Sequence, residues 1–399
     1  MIDKPFDLIL IGATGFTGKR AAHYLKKHAP ESFKWGIAAR NPDKVTALSH
    51  ELNIPDDRCF IVDNLNKRKV EEVVQKAKII ITTAGPFSLY GENVISACAT
   101  YGTHYLDITG EVGFIKEMTI KYEKDAENSG ALLIPFSGFD SVPADITSYL
   151  LQKEFDHPEK LSIKSYYSIS GGFNGGTIAT MLNKFETGEY KKMNDPSLLL
   201  NGDNVQQIHT PKDVQFFGFD TAIKRWSAPF IMGAINSKVV YKTADLMRIQ
   251  GIPYAESISY SEHSTLGKWY NPLPFLVVST IVLSITFFGP YKWFRHLLQK
   301  IMPAPGEGPS EEQIENGYFK LRAIARNEKG QKASLKMRYP GDPGNKSTVF
   351  FLCESALCLA ENSDKLKSQS GIKTPISALG NLLVKRLSKR GLMITLAKE

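Results

Sequence analysis

The chain has 399 residues, 42% of them hydrophobic and 23% charged, with a formal net charge of +8. That length supports two domains and a substantial core, and the composition is that of an ordinary globular protein. The charge excess is too small over this length to indicate nucleic acid, and no RNA- or DNA-binding module is recognisable.

The N-terminus, MIDKPFDLIL, lacks the basic region and following apolar stretch of a signal peptide, because its apolar run is already the first strand. Leu8–Ile11 reads as a buried strand that meets Gly12, Gly15 and Gly18, and Thr17 then opens a helical stretch. In this arrangement Gly12 lets the chain turn, Gly15 lets backbone approach a pyrophosphate, and Gly18 lets helix and strand pack closely. The helix N-terminus then faces the negative charge. The spacing is GxxGxxG rather than GxGxxG, and the residues expected at the phosphates are Gly12, Ala13, Thr14, Gly15, Phe16 and Thr17.

A helix over 21–28 and a second strand over 34–39 follow, and Arg40 comes directly after that strand with Lys44 close by. A carboxylate at this position accepts the ribose hydroxyls of NAD, whereas a guanidinium suits a 2′-phosphate. NADP is therefore the expected cofactor, with NAD as the alternative. A third strand, Cys59–Asp63, places Asp63 beside the adenine. A fourth, Ile79–Thr83, runs into Ala84, Gly85 and Pro86, a small rigid turn expected to pass the nicotinamide ribose. Tyr105–Ile108 and Ala131–Pro135 complete six strands of a parallel sheet buried on both faces.

In the second half, Leu161–Ile169 alternates like a strand with one exposed face. The glycine-rich segment 171–176 reads as a turn lining the substrate pocket or as a second phosphate loop. Gly317–Ala325 and Lys332–Tyr339 read as a hairpin across Glu328–Lys329–Gly330, and Thr348–Glu361 as an apolar helix. Leu273–Gly289 carries no charge and is flanked by Trp269 and Tyr270 on one side and by Tyr291, Lys292, Trp293 and Arg295 on the other. Three readings stand: a hairpin or helix inserted into a membrane or lipid-droplet surface, a buried dimer or core helix, and a true span, for which the length is borderline. Pro303–Pro309 reads as a linker. The cysteines, Cys59, Cys98, Cys353 and Cys358, form no CxxC pair and no zinc-spaced cluster, so they read as reduced and no metal is expected.

Several of these segments together carry a resemblance: IGATGFTG at 11–18, AAR at 38–40, AGPF at 84–87, YLDITGE at 105–111 and SGFDSVPAD at 137–145. GPSEEQIENG at 308–317 and GIKTPISALG at 371–380 fit the same pattern. Over essentially its whole length the chain resembles the saccharopine dehydrogenase-like oxidoreductases. Their bacterial branch is called trans-acting enoyl reductases, and their animal branch is associated with lipid droplets and membranes. The resemblance implies an α/β fold in which an N-terminal Rossmann doubly wound parallel sheet is joined to a second α+β domain with a mixed sheet, of saccharopine-reductase-like type. The expected division is 1–150 for NAD(P), 151–350 for substrate and dimerisation, and 351–399 as a helical return packing on the first domain. Family membership does not make saccharopine the substrate.

Hydride transfer also needs an acid or base near the reacting carbon. Tyr90 and Asp107 are the candidates, and Glu111, Ser137, Asp140, Ser141 and Asp145 stand at neighbouring strand ends. Asp107 and Glu111 read equally as paired carboxylates with split pKa values or as caps of a helix start, and helix capping is the plainer role for Asp140 and Ser141. Ser137, Tyr149 and Lys153 imitate the Ser…Tyr-x-x-x-Lys set of short-chain dehydrogenases, although here an extra strand intervenes. The expected function is NAD(P)-dependent hydride transfer to an unsaturated or carbonyl-bearing, small hydrophobic, lipid-like substrate. The expected place is the cytoplasm, at or off a membrane or lipid-droplet surface, and a homodimer is a further expectation. The alternative is an NADP-binding structural or regulatory protein at a lipid surface.

Overall fold

The structure is a computed structural model that describes residues 4–398 other than 157, 173, 189, 191–194, 201–216, 267–269 and 305. Trp269 lies outside the described residues, as do Phe173 within the glycine-rich 171–176 segment and Pro305 within the 303–309 segment. In chain order the first half comprises β1 (Phe6–Ile11), α1 (Phe16–His28), β2 (Trp35–Ala39), α2 (Pro42–Leu52), β3 (Cys59–Ile61), α3 (Lys67–Val74), β4 (Ala77–Thr82), α4 (Phe87–Tyr90), α5 (Glu92–Tyr101), β5 (His104–Asp107), α6 (Val112–Ser129), β6 (Leu132–Ile134) and α7 (Val142–Gln152). The second half comprises β7 (Lys160–Ser170), α8 (Gly175–Glu186), β8 (Gly218–Asp220), β9 (Arg225–Pro229), α9 (Gly233–Ile249), β10 (Ser257–Leu266), α10 (Leu273–Phe288), α11 (Lys292–Ile301), α12 (Glu311–Asn316), β11 (Tyr318–Asn327), β12 (Lys332–Pro340), α13 (Thr348–Glu361), β13 (Gly371–Ile372), α14 (Pro375–Lys389) and β14 (Met393–Lys398).

The first sheet is parallel, in the order β13-β6-β5-β4-β1-β2-β3. Its strands read as near-continuous apolar runs because helices cover both faces. Leu8 and Leu10 face a core shared with α1, α2, α7 and α13, while Ile9 and Ile11 face one shared with α3, α5 and α6. The second sheet runs β14-β12-β11-β7-β10-β9-β8. It is antiparallel except for the β7–β10 pair, and is therefore mixed. Alternation in β11 follows from having one covered face: Phe319, Leu321, Ala323 and Ala325 are buried, and Lys320, Arg322 and Arg326 point out. The fold is the expected one, a Rossmann-like parallel sheet with a second mixed sheet.

Helix α13 lies in the shared core, buried along its length. Its fully buried Glu354 accepts from Tyr24 on α1 at 2.6 Å and from Arg386 on α14, which ties the parallel sheet to the C-terminal helix. Two features differ from expectation. The parallel sheet has seven strands, because Gly371–Ile372 pairs with β6, and two residues are too short to carry a period. The last segment is not wholly helical: besides β13 it supplies β14, an edge strand on β12.

The uncharged segment forms α10, which turns at Gly289–Pro290 into α11. Arg295 closes that turn by donating to the Gly289 and Pro290 carbonyls at 3.2 and 2.7 Å. Along α10 Phe275 and Ser279 are buried, whereas Leu273 and Phe287 are 63% and 67% exposed, so this helix is not buried in the chain's core. Among the described residues no helix is long and apolar enough to cross a membrane. The inner side of the hairpin packs on α8 through Ile178, Leu182, Phe294 and Leu298.

Candidate cofactor and active site

The loop after β1 is built from backbone. Gly12 has φ +81°, and its N–H and that of Ala13 donate to the Ala38 carbonyl at 2.9 and 3.2 Å. A Cβ on Gly18 would lie 2.0 Å from the Gly12 oxygen, so α1 reaches this close to the loop only as glycine. Gly15 caps α1 without a side-chain bond, and no acidic residue occupies the first turn. The first N–H groups of the helix are thus left facing a cavity of about 1440 Å³ that runs along the carboxyl ends of the parallel strands. A Cβ on Gly15 would meet nothing nearer than the Gly12 oxygen at 3.3 Å, so that glycine leaves room on the cavity side. This cradle fits a dinucleotide pyrophosphate.

Of the residues expected at a cofactor, Gly12, Thr14, Gly15, Phe16, Thr17, Arg40, Asp63, Ala84 and Gly85 line this cavity. Ala13 and Pro86 do not: Ala13 is buried in the core under the loop, and Pro86 is the N-cap of α4. Arg40 stands with Asn41 and Lys44 at the end of β2, and Asn41 caps α2 by accepting from the Lys44 N–H at 2.9 Å. Asp63 accepts from the Leu65 N–H at 3.0 Å, which holds the turn after β3.

The acid/base candidates separate. Tyr90 lines the cavity; its backbone carbonyl is held by Asn64 at 3.1 Å, next to Asp63. Asp107 does not line it. That carboxylate is fully buried and accepts from Tyr105 Oη at 2.7 Å, Thr109 N–H at 3.0 Å and Phe136 N–H at 3.1 Å. Burial pushes it up to about 7 against the pull of these donors, and it braces the β5 and β6 loops. Glu111 does cap a helix, but not the one it precedes: its carboxylate accepts from the Phe87 and Ser88 N–H groups at 2.6 and 3.0 Å, at the start of α4. Asp145 accepts from Thr243 and from the Ile376 N–H at 3.0 Å, capping α14. Ser141 is the N-cap of α7 without a side-chain capping bond. The Ser137, Tyr149 and Lys153 set does not converge on the cavity: Ser137 donates to the Ile134 carbonyl at 3.0 Å, and the exposed Lys153 donates to the Oη of Tyr149, a core residue, at 2.5 Å.

Two charged side chains reach the cavity on the β5–β6 side, Asp140 and Lys184. Lys184 Nζ donates to the Gly110 carbonyl at 2.7 Å. Burial pushes the Asp140 carboxyl up to about 6, while the Lys184 ammonium pulls it down. Lys184 was not legible in the sequence. Its helix puts Ile178, Met181 and Lys184 on one face by their three-residue spacing, but nothing marks that face as a cavity wall. The glycine-rich segment lines the same cavity through Gly171, Gly172, Asn174 and Gly176, and Asp342 holds it by accepting from the Gly172 N–H at 3.2 Å. Beyond it the wall is apolar, made by Phe139, Phe185, Phe230, Met232 and Ile235, and it ends at Ile285 and Thr286 of α10.

A glycine-built phosphate cradle at a parallel sheet's carboxyl edge, facing a second mixed sheet across a large cavity, defines a nicotinamide-dinucleotide-dependent oxidoreductase. Residues 8–134 match the family described as saccharopine dehydrogenase NADP binding domain. The chain is 30% identical over 417 residues to a candidate trans-acting enoyl reductase of Mycobacterium tuberculosis (strain ATCC 25618 / H37Rv), covering 98% of this chain and 97% of the relative. It is 27% identical over 420 residues to the trans-acting enoyl reductase of Mycobacterium ulcerans (strain Agy99), covering 98% of each. Among solved structures it is similar to the saccharopine dehydrogenase (L-Glu forming) of Saccharomyces cerevisiae, with TM-score 0.55 at 9% identity over 98% of this chain and 99% of that one. The chain belongs to the saccharopine dehydrogenase-like oxidoreductases, in the trans-acting enoyl reductase branch, and its first domain binds NADP.

Proposed function

We propose that this oxidoreductase uses NADPH to reduce an unsaturated or carbonyl-bearing acyl compound, and that it does so at a lipid surface. The observation that carries the reading is that one cavity joins the glycine loop to an apolar limb ending on α10. Thr14, Gly15, Phe16 and Thr17 hold the pyrophosphate, Arg40 and Lys44 the 2′-phosphate, and Ala84 and Gly85 flank the nicotinamide ribose. The relatives' names supply the reaction class, saturation of an enoyl group.

The lipid surface is argued from the same helix. On its outer side the α10–α11 hairpin exposes Leu276, Ile281, Phe287 and Trp293. From Asn271 to Gly306 the sequence holds Lys292, Arg295 and Lys300 and no acidic residue. An apolar face bordered by cations suits an anionic phospholipid surface.

The test is NADPH oxidation with 2-enoyl thioesters of increasing chain length. Turnover that rises with chain length and is cut back for the long chains in Ile285→Trp, with NADPH affinity unchanged, supports the reading. Intact protein that binds NADPH and reduces none of these compounds overturns it and favours the non-catalytic binder. Flotation with phosphatidylglycerol vesicles tests the surface: parent protein should float, and Leu276→Asp/Phe287→Asp should not. A parent that stays in solution as a dimer would assign that face to a second copy.

A further inference from the structure

Among the described residues five charged side chains line the cavity: Arg40, Lys44, Asp63, Asp140 and Lys184. The first three stand at or just beyond the ends of β2 and β3. Asp140 and Lys184 stand on the other side of β1, by the ends of β5 and β6, where the doubly wound order places the reactive half of a dinucleotide.

Five carboxyl groups cluster around this side, and four are consumed by donors. Asp107 accepts three hydrogen bonds, Glu111 two and Asp145 two. Glu262 on β10 accepts from Tyr167, Tyr260 and Asn236 at 3.0, 2.7 and 2.8 Å. For Asp140 the described residues provide no hydrogen bond and no ion pair, and it faces the cavity. A half-buried carboxyl that faces a cavity and is left without donors can change its protonation, as an acid in a reaction must.

We propose that Asp140 is the acid that protonates the α-carbon of an α,β-unsaturated acyl compound reduced in this cavity, with Lys184 as its positioning cation. The inference rests on the reading of the preceding section. The hydride for the β-carbon comes from the reduced cofactor. The electron pair of the C=C bond then resides on the acyl oxygen as an enolate. The Asp140 proton passes to the α-carbon, the enolate returns to a carbonyl, and water entering the cavity reprotonates the carboxylate. Lys184, tethered to the Gly110 carbonyl, places a positive charge near enough to act on this carboxyl without pairing with it directly. The groups acting on the pair are Lys184 from α8, Glu262 from β10, and Lys238 from α9, which acts on Lys184. With its carboxyl at about 6, Asp140 holds a proton-donating fraction near neutral pH.

The experiment compares the parent with Asp140→Asn, Asp140→Glu and Lys184→Met. NADPH titration by fluorescence should give the same affinity within about threefold for Asp140→Asn, since the residue does not hold the cofactor. Thermal melting should show that variant folded, since no hydrogen bond is lost. Enoyl reduction in Asp140→Asn should fall roughly 10²- to 10⁴-fold and recover partly in Asp140→Glu. Carbon-13 carboxyl NMR of the cofactor-free protein should show Asp140 titrating near neutral pH, and Lys184→Met should move that titration upward because a cation has been removed. The alkaline limb of kcat/KM should move the same way. Asp140→Asn retaining parental turnover, or losing NADPH binding, overturns the proposal while leaving the reductase reading intact. A parent that binds NADPH and reduces no acyl compound overturns both.

Discussion

The two ends of the cavity are made of different materials. The wall beside β1 and β4 is largely backbone: Gly12, Gly15, Ala84 and Gly85 line it and carry at most a methyl group. The wall formed by α8, α9 and α10 is side chain: Met181, Phe185, Phe230, Ile235 and Ile285. Backbone positions phosphate oxygens rigidly and tolerates no added atom. Side chains shape a volume and can be exchanged for others of similar size. A single site therefore combines a fixed cofactor end with an adjustable substrate end, and substitutions at the two ends should fail in different ways.

The largest expected effect is at the backbone end. Gly15→Val should lower NADPH affinity at least about 100-fold while costing less stability than Gly18→Val, because its Cβ would meet only the Gly12 oxygen, at 3.3 Å. Gly18→Val should instead destabilise the fold by roughly 3 kcal/mol or more, since its Cβ would sit on the Gly12 carbonyl. Fluorescence titration and thermal melts separate the two. If Gly15→Val bound NADPH normally, the cradle would not be the cofactor site.

Next in size is cofactor choice. Arg40→Asp should weaken NADPH by about 10- to 100-fold and NADH by less than about threefold, because the carboxylate repels a 2′-phosphate that NADH lacks. Equal losses for both nucleotides would remove Arg40 from that role and pass it to Lys44.

How far the two ends could be read in the sequence follows from the same difference in material. Leu8–Gly18 is legible because a strand buried on both faces is an unbroken apolar run, and a backbone-built turn has to be written in glycine. The hairpin of β11 and β12 is legible because one covered face imposes alternation. Helix α9 gives no such signal: it is buried on nearly all sides and yet carries Lys238, Lys242 and Asp245, so no polar face marks it as a helix. Gly371–Ile372 is too short to show any pattern. At the site, Asp107 and Asp140 look alike in sequence, one an acid closing a strand and the other an acid in the loop after the next strand. What separates them is the donor set around each, supplied by residues such as Tyr105 and Phe136 that no local motif announces.

A third prediction concerns the consumed carboxylates that brace the site. Burial holds Asp107, Asp145 and Glu262 at about 7 in the folded chain, above their unfolded values. A raised carboxyl binds its proton more tightly folded than unfolded, so its contribution is fully present below the unfolded pKa and is lost as pH rises through the folded one. Stability should thus fall between about pH 4 and pH 7 and level off above. Asp145→Asn should flatten that slope by up to about 1.4 kcal/mol per pH unit. Denaturant melts at pH 5 and 7.5 check the sign, and a parent more stable at 7.5 than at 5 would refute it.

The smallest effect is expected at Tyr90, and it bears most directly on where the chemistry lies. Tyr90 lines the cavity, but its backbone is tied to Asn64, next to Asp63, at the end of β3. Helix α4 follows β4 and the Ala84–Gly85 turn, so Tyr90 belongs with the fixed cofactor end, although β4 lies on the same side of β1 as β5 and β6. Removing its hydroxyl as Tyr90→Phe leaves the ring's packing near Phe87 in place. The expected result is a change of less than about threefold in both NADPH affinity and enoyl turnover. A loss of turnover by 10²-fold or more with NADPH affinity intact would move the proton donor to Tyr90. It would also mean that the fixed end of the cavity, and not the junction with the adjustable end, performs the acid step.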